Sequence, residues 1–85
     1  MDGYKEFFLG DDTYELVDRL RAGEKLCTCS PTASWDLGAR LYDYLMTRET
    51  DAYGVVRETW EPVDFSWNAF HRNIDGKTYV FYERV

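Results

Sequence analysis

The sequence is short of the residues from which catalytic, metal and cofactor sites are usually built. Its 85 residues include one histidine and two cysteines, and no glycine-rich phosphate loop follows a strand-like segment. His71 has no serine or cysteine in a recognisable nucleophile setting beside it. The sequence therefore predicts a protein that is not an enzyme and that carries no cofactor and no metal.

The two cysteines, Cys27 and Cys29, are too close in sequence to suggest a disulfide. In a strand, residues two apart point to the same face, and this spacing suits an unstrained disulfide poorly. A zinc site would need carboxylates as further ligands, because there is no second cysteine pair. Reduced thiols in a cytoplasmic protein are the interpretation that we favour.

Long apolar segments are also lacking. No run of about 18 apolar residues could span a bilayer, and the segment from Met1 to Leu9 is too charged for a secretory leader. We therefore expect a cytoplasmic protein with no membrane association. A chain of 85 residues predicts one globular domain over residues 1–85.

Basic residues are outnumbered, with 10 Lys and Arg against 16 Asp and Glu, which gives a net charge of -6. The excess lies in two acidic blocks, residues 1–24 and 49–66, separated by nearly neutral segments. Such a field repels nucleic acid and attracts basic surfaces, so we expect a basic protein partner and no direct nucleic-acid binding. The alternative is that the acidity serves solubility alone.

Capping signals predict two helices. Asp12 followed by Glu15 resembles a capping box and indicates a helix from about Thr13 to Ala22, with Gly23 as its C-terminal cap. Ser30 and Pro31 are typical of a second helix start, and the apolar periodicity extends this helix to about Arg48.

Strand signals dominate the rest of the chain. The segments with β-favouring composition are Tyr4–Leu9, which is either a short strand or an ordered arm, Leu26–Cys29, Tyr53–Trp60, Phe65–Asn73 and Lys77–Val85. The sequence therefore predicts an α+β fold, in which two helices pack on a small antiparallel sheet that ends in a C-terminal β-hairpin.

The turn of that hairpin has two interpretations. A bulged turn over Asn73–Gly76 would place His71 opposite Tyr79, whereas a two-residue turn on Asp75 and Gly76 would shift the register by one residue. We predict the bulged turn, because it gathers apolar side chains on one face. Those side chains are Phe65, Trp67, Ala69, Tyr79, Phe81 and Val85.

Aromatic residues are abundant, with five Phe, seven Tyr and three Trp. This is more than a core of this size readily absorbs, and Tyr and Trp concentrate binding energy at interfaces. On the second helix, an apolar stripe bordered by Asp36 and Asp43 predicts a partner-binding patch of Trp35, Tyr42 and Met46. The alternative is that this stripe is the far side of the core.

The acidic residues form the second candidate binding surface. Carboxylates along a rigid helix and a strand edge can stand in for the phosphates of a nucleic acid and compete for a basic channel. Those predicted to do so are Asp11, Asp12, Glu15 and Asp18 on the first helix and Glu58, Glu61 and Asp64 before the hairpin. Capping by Asp11 and Asp12 is the simpler structural explanation for that pair.

The segment from Leu16 to Leu26, a helix that ends in Leu20-Arg21-Ala22-Gly23-Glu24-Lys25-Leu26, resembles the helix-then-strand opening of many small prophage proteins. In its overall character the chain also resembles the phage anti-defence proteins, including anti-CRISPR inhibitors, which are short, acidic, aromatic-rich and without catalytic motifs. This resemblance implies a stoichiometric inhibitor that binds a CRISPR nuclease or complex and blocks nucleic-acid access. It assigns no individual residue a role.

Two other functions fit the same residues. One is an immunity or antitoxin-like regulator that neutralises a basic toxin through the same acidic surface. The other is a homodimeric module, or one that sequesters a small ligand, in which the apolar stripe is buried.

Overall fold

The computed structural model describes residues 3–85, which form two helices and six strands. In chain order the elements are β1 (Tyr4–Glu6), α1 (Thr13–Arg21), β2 (Lys25–Thr28), α2 (Pro31–Tyr42), β3 (Leu45–Thr50), β4 (Val56–Glu61), β5 (Trp67–Ile74) and β6 (Lys77–Arg84). The predicted α+β class is confirmed.

The strands form two sheets. A four-stranded sheet has the order β1-β2-β6-β5, in which β1 and β2 run parallel and the other neighbours are antiparallel. A separate two-stranded sheet joins β3 to β4. The helices cover one face of the larger sheet, and the core between them contains Phe7, Leu16, Val17, Leu20, Leu26, Ala33, Leu37, Leu41, Val63 and Tyr82.

Both predicted helix starts are confirmed. The Asp12 carboxylate accepts a hydrogen bond from the Tyr14 N–H at 2.9 Å and caps α1. The Ser30 hydroxyl accepts from the Ala33 N–H at 3.2 Å and caps α2, with Pro31 in the first turn. These local contacts fix where each helix begins.

The predicted extent of α2 is wrong, because the helix ends at Tyr42 and not near Arg48. Asp43 leaves the helical conformation, with φ -117° and ψ 62°, and the Tyr44 N–H then donates to the Glu61 carbonyl oxygen at 2.9 Å. The chain thereby begins to pair with β4 instead of continuing the helix. Met46 consequently lies on β3, and it is not part of a helical stripe with Trp35.

The predicted register of the C-terminal hairpin is also wrong. His71 pairs with Val80, and Ile74 pairs with Lys77, so a two-residue turn joins β5 to β6. Asp75 and Gly76 both have positive φ, at 52° and 79°, as a type I′ turn requires. The twist of a type I′ turn matches the twist of the strands that it joins. This local preference determines the register, although the bulged turn would place more apolar side chains on one face.

The observed register distributes the aromatic residues over both faces of the large sheet. On the face away from the helices, the Phe81 ring stacks on Phe70 with a centroid distance of 5.0 Å and meets the edge of Tyr4 at 4.9 Å. Phe81 is buried by these neighbours, although no helix covers it. We call Tyr4, Phe70, Tyr79 and Phe81 the outer aromatic face.

Neither of the helices in residues 3–85 is long and apolar enough to cross a bilayer, since the longer one, α2, has 12 residues. Cys27 and Cys29 are both free thiols. Burial raises the pKa of the Cys27 thiol, as does the nearby charge of Glu6, so this sulfur is protonated at neutral pH.

Candidate functional site

The hairpin formed by β3 and β4, residues 45–61, projects from the rest of the molecule, and we call it the arm. Every residue of both its strands is exposed. The described chain is accordingly elongated, with principal extents of 58 × 23 × 18 Å. A two-stranded hairpin that buries no residue on either face is marginally stable in water, so the arm is a poor way to stabilise this fold.

The register of the arm places its large side chains in pairs. Met46 lies opposite Trp60, and two residues farther out on the same face Arg48 lies opposite Glu58, with an ion pair of 2.6 Å. Trp60 is 47% exposed and Met46 is 38% exposed. The face that carries these pairs therefore combines an apolar base with a charged middle.

The tip of the arm is a turn held by one carboxylate. Asp51 accepts hydrogen bonds from the backbone N–H groups of Tyr53 and Val55, at 2.8 and 3.0 Å. The Tyr53 side chain is 93% exposed, and Val55 and Val56 beside it are half exposed. An ordered turn thus presents an aromatic ring at the far end of the molecule.

The base of the arm is tied to the core. The Tyr44 N–H donates to the Glu61 carbonyl oxygen, and the Val63 N–H donates to the Leu41 carbonyl oxygen at 3.0 Å. The Val63 side chain is buried in the core. The arm is therefore attached at both ends of its hairpin, and its position relative to α2 is defined by these contacts.

A cleft of about 450 Å³ lies between α2 and the base of the arm, and we call it the tryptophan cleft. Trp35 from α2 and Trp60 from β4 both line it, and Ala39 contributes a small apolar side chain. Trp35 is 73% exposed, which is unusual for so large an apolar residue. The remaining lining residues are Thr13, Asp36, Arg40 and Asp43.

The charge of Arg40 is engaged within the protein. Its Nε donates to the Thr13 hydroxyl at 3.1 Å, its NH1 donates to the Tyr14 hydroxyl at 3.0 Å, and its guanidinium lies 4.1 Å from the centroid of the Tyr14 ring. Asp36 and Asp43 form no ion pair with any residue in the described range 3–85. The cleft therefore offers two aromatic rings with carboxylates beside them.

The residues predicted as one helical patch are divided by the structure. Trp35, Asp36 and Asp43 line the tryptophan cleft, and Met46 lies opposite Trp60 on the arm. Tyr42 is at the C-terminal end of α2, and its ring meets the Trp67 ring at 5.6 Å, in a different cleft. Tyr42 is thus not part of the tryptophan cleft.

Three of the four predicted acidic residues of α1 and its preceding turn have local partners. Asp11 accepts from the Phe8 N–H at 2.8 Å, Asp12 caps α1, and both line a small pocket with Glu15. Arg21 donates to both Asp18, at 2.8 Å, and Asp64, at 3.3 Å, and so joins the two predicted acidic groups through one side chain.

The predicted acidic residues of the arm are Glu58 and Glu61, and both lie on β4. Glu58 is paired with Arg48, whereas the exposed Glu61 lies opposite Leu45 at the base. The carboxylates that line the tryptophan cleft are thus Asp36 on α2 and Asp43 directly after it. The acidic residues predicted from the sequence do not form one continuous row with the cleft.

Trp60 is the residue that the sequence analysis missed. Its β-favouring segment, Tyr53–Trp60, predicts a strand of the small antiparallel sheet, where an aromatic residue needs no special explanation. The signal that could have identified it is its position directly after Glu58-Thr59 and before Glu61-Pro62, because a tryptophan between acidic residues fits an exposed ribbon better than a buried strand.

Other chemistry-bearing residues are spread out. A second groove of about 380 Å³, mostly apolar, contains Cys29 and His71 and is also bordered by Trp35. Within residues 3–85 no group of three or more His, Cys, Asp and Glu side chains is placed to hold a metal ion. Comparison of the chain with protein-family models, with curated proteins and with solved structures gave no match.

Proposed function

We propose that this protein is a small acidic binding protein that inhibits a partner stoichiometrically, by occupying a basic surface of that partner. The arm is the observation that carries this proposal. It takes 17 residues of an 85-residue chain and buries none of its strand residues against the core. A segment that adds so little to folding is best explained by what it contacts outside the molecule.

The tryptophan cleft supplies the anchoring groups of the proposed interface. Tryptophan is among the residues that contribute most to binding when a partner excludes water from them. Trp35 and Trp60 are 73% and 47% exposed, and each leaves apolar surface that a partner would bury. Their side chains line one cleft, so a single protruding group of the partner can contact both.

Charge supports a basic partner. The chain carries a net charge of -6, and Asp36 and Asp43 border the cleft without ion pairs among the described residues. Carboxylates at the rim of an interface mainly increase the association rate, while buried aromatic rings slow dissociation. High salt is therefore expected to slow capture of the partner without abolishing it.

The more specific proposal is an anti-CRISPR function in the cytoplasm of a phage-infected host. The partner is a CRISPR nuclease or complex, and the protein blocks access of nucleic acid to its basic channel. The acidic character and the resemblance to small phage anti-defence proteins support this choice of partner. Exclusion of nucleic acid by occupancy requires no catalytic residue.

The test is inhibition of purified CRISPR effectors of several types. Guide-loaded effector is titrated with the protein, and binding of target nucleic acid is followed by gel shift. We expect loss of target binding at about one molecule of protein per effector. The Trp35→Ala/Trp60→Ala variant should weaken inhibition by at least about tenfold. Leu9→Ala, which removes a similarly exposed apolar side chain that does not line the cleft, should inhibit normally.

Each outcome of this test has a definite meaning. Failure to inhibit any effector, together with tight capture of a basic toxin encoded beside the gene, would instead establish the immunity function. Inhibition that is unchanged in the double tryptophan variant would show that the cleft is not the interface. Circular dichroism of both variants controls for folding.

A further inference from the structure

The edge of the larger sheet formed by β5 is long, regular and uncovered. β5 has eight residues, and six of them, from Asn68 to Asn73, are exposed. The opposite edge of the sheet, β1, has three residues. Proteins commonly protect edge strands by keeping them short or by placing proline, lysine or a bulge on them. β5 contains no proline and no lysine, its pairing with β6 is continuous from Trp67 to Ile74 without a bulge, and Arg72 is its one charged side chain.

The hydrogen-bond phase of β5 shows which backbone groups face outward. The Val85 N–H donates to the Ser66 carbonyl oxygen at 2.9 Å, so Ser66 and every second residue after it bond to β6. The N–H and C=O groups of the alternate residues point away from β6. No hydrogen bond within the described part of the chain uses these groups, which belong to Trp67, Ala69, His71 and Asn73.

We propose that β5 pairs antiparallel with β5 of a second copy of this chain, to form a symmetric dimer with a continuous eight-stranded sheet. The four outward residues are spaced evenly around Phe70. A twofold axis at Phe70 therefore pairs Trp67 with Asn73 of the other copy and Ala69 with His71 of the other copy. All four outward residues are used, with about eight backbone hydrogen bonds. Shifting the pairing by two residues leaves outward groups without partners.

This register also joins the outer aromatic faces of the two copies. Phe70 would lie opposite Phe70 of the second copy in a non-hydrogen-bonded pair, where Cα atoms are about 4.5 Å apart. Because Phe81 stacks on Phe70 within each chain, four phenylalanine rings would form one row across the dimer. Phe70 is 39% exposed in the single chain, and the second copy would cover it.

Charges on the outer face complement each other in the same register. Within one chain Asn68 pairs with Glu83, and Arg72 pairs with Tyr79. The dimer places Arg72 of the second copy beside Asn68, and therefore two strands from Glu83. That separation is about 9.6 Å between backbones, and the extended arginine can cross the short Asn68 side chain to reach the carboxylate. Symmetry creates this ion pair twice.

The interface is small, since an eight-residue strand is about 27 Å long. We therefore expect a dissociation constant in the micromolar range. The dimer interface contains no residue of the arm and none that lines the tryptophan cleft, although His71 borders a groove that Trp35 also borders, and the two proposals are tested by separate experiments. One could fail without the other.

The experiment is sedimentation velocity of the full chain over a range of micromolar concentrations, with charge-swapped variants. Arg72→Glu and Glu83→Arg should each weaken the dimer by about tenfold or more, because each places like charges across the interface. An equimolar mixture of the two variants should restore it, since every cross-chain pair is then of opposite sign. The double variant Arg72→Glu/Glu83→Arg should also dimerise. A chain that stays monomeric at all concentrations overturns the proposal.

Cysteine crosslinking tests the register independently. In a background with Cys27→Ala and Cys29→Ala, the variants Asn68→Cys and Arg72→Cys are oxidised alone and mixed. The proposed register predicts a disulfide-linked dimer in the mixture, because these two positions face each other across the two copies. Neither variant alone should crosslink. Crosslinking of one variant with itself, or none in the mixture, would refute this pairing, and circular dichroism confirms that each variant is folded.

Discussion

The hydroxyl oxygen of Tyr82 lies 2.7 Å from the Ser34 hydroxyl oxygen and donates a hydrogen bond to the Ser34 carbonyl oxygen at 3.0 Å. This pair of contacts joins β6 to α2 at the centre of the fold. Tyr82 is 4% exposed, and its ring also packs against Phe7 and Trp67. The helix layer is thus fixed to the sheet by a polar contact beside the apolar core.

Replacing Tyr82 with phenylalanine should destabilise the protein by about 1–2 kcal/mol, because the carbonyl and hydroxyl oxygens of Ser34 lose a partner in a mostly buried place. The free energy of unfolding is measured by urea denaturation. Tyr53→Phe is the matched control, since Tyr53 is 93% exposed and the same atom is removed there. Equal effects of the two substitutions would contradict the role given to the buried hydroxyl.

The same tyrosine should make the fold sensitive to alkali. Burial raises the pKa of Tyr82 above its ordinary value of 10.0, although the hydrogen bond with Ser34 acts in the opposite direction. The unfolded chain therefore loses this proton more readily than the folded one. The stabilisation of the folded state by Tyr82 is therefore present in full below pH 10. It is lost as the pH rises through the pKa that Tyr82 has in the folded protein.

Denaturation of the wild type and of Tyr82→Phe at a series of alkaline pH values isolates this effect. The pKa of Cys27 is raised from 9.0 by burial, so both proteins should weaken with rising pH. The wild type should weaken more steeply above pH 10, and the difference between the two proteins is the quantity of interest. Parallel curves would show that Tyr82 does not titrate with unfolding.

Two glycine-to-alanine substitutions should change stability in opposite directions. Gly76 has φ +79° in the turn between β5 and β6, where an alanine is strained, so Gly76→Ala should cost about 1 kcal/mol or more. Gly38 lies within α2, and a Cβ there would meet the Tyr82 hydroxyl at an ordinary 3.8 Å. Gly38→Ala should therefore stabilise by about 0.5–1 kcal/mol. Thermal melts of the two variants compare them directly.

These residues also show how far the sequence predicts the structure. The helix starts at Asp12 and Ser30 follow from contacts that span three residues or fewer, and they are correctly predicted. The end of α2 depends instead on the Glu61 carbonyl oxygen, which lies 17 residues beyond Tyr44. Helical periodicity continues past Tyr42, so nothing local marks the change to a strand.

The candidate site was harder to predict for the same reason. Trp35, Asp36 and Asp43 were identified because α2 alone brings them together. Trp60 reaches the tryptophan cleft only through the pairing of the arm, and Met46 lies on β3, in a segment for which the sequence predicts a helix. In the C-terminal hairpin of β5 and β6, the apolar pattern favours a register that puts the aromatic side chains on one face. The type I′ turn at Asp75 instead places aromatic side chains on both faces of the sheet, and one of these is the outer aromatic face.

Removal of the arm should leave the rest of the protein folded. In the test variant, residues 48–58 are replaced by an Asn-Gly turn, which keeps Met46 opposite Trp60 and makes Thr47 and Thr59, a hydrogen-bonded pair, the last pair of a short hairpin. The arm strands bury no side chain, so we expect the free energy of unfolding to change by less than about 1 kcal/mol. Urea denaturation and circular dichroism provide the measurement.

Leu41→Ala is the control for a true core position and should cost about 2–5 kcal/mol, because Leu41 is completely buried. If shortening the arm destabilised the protein as much as Leu41→Ala, the arm would have a structural role, and the main argument for its role in binding would be lost.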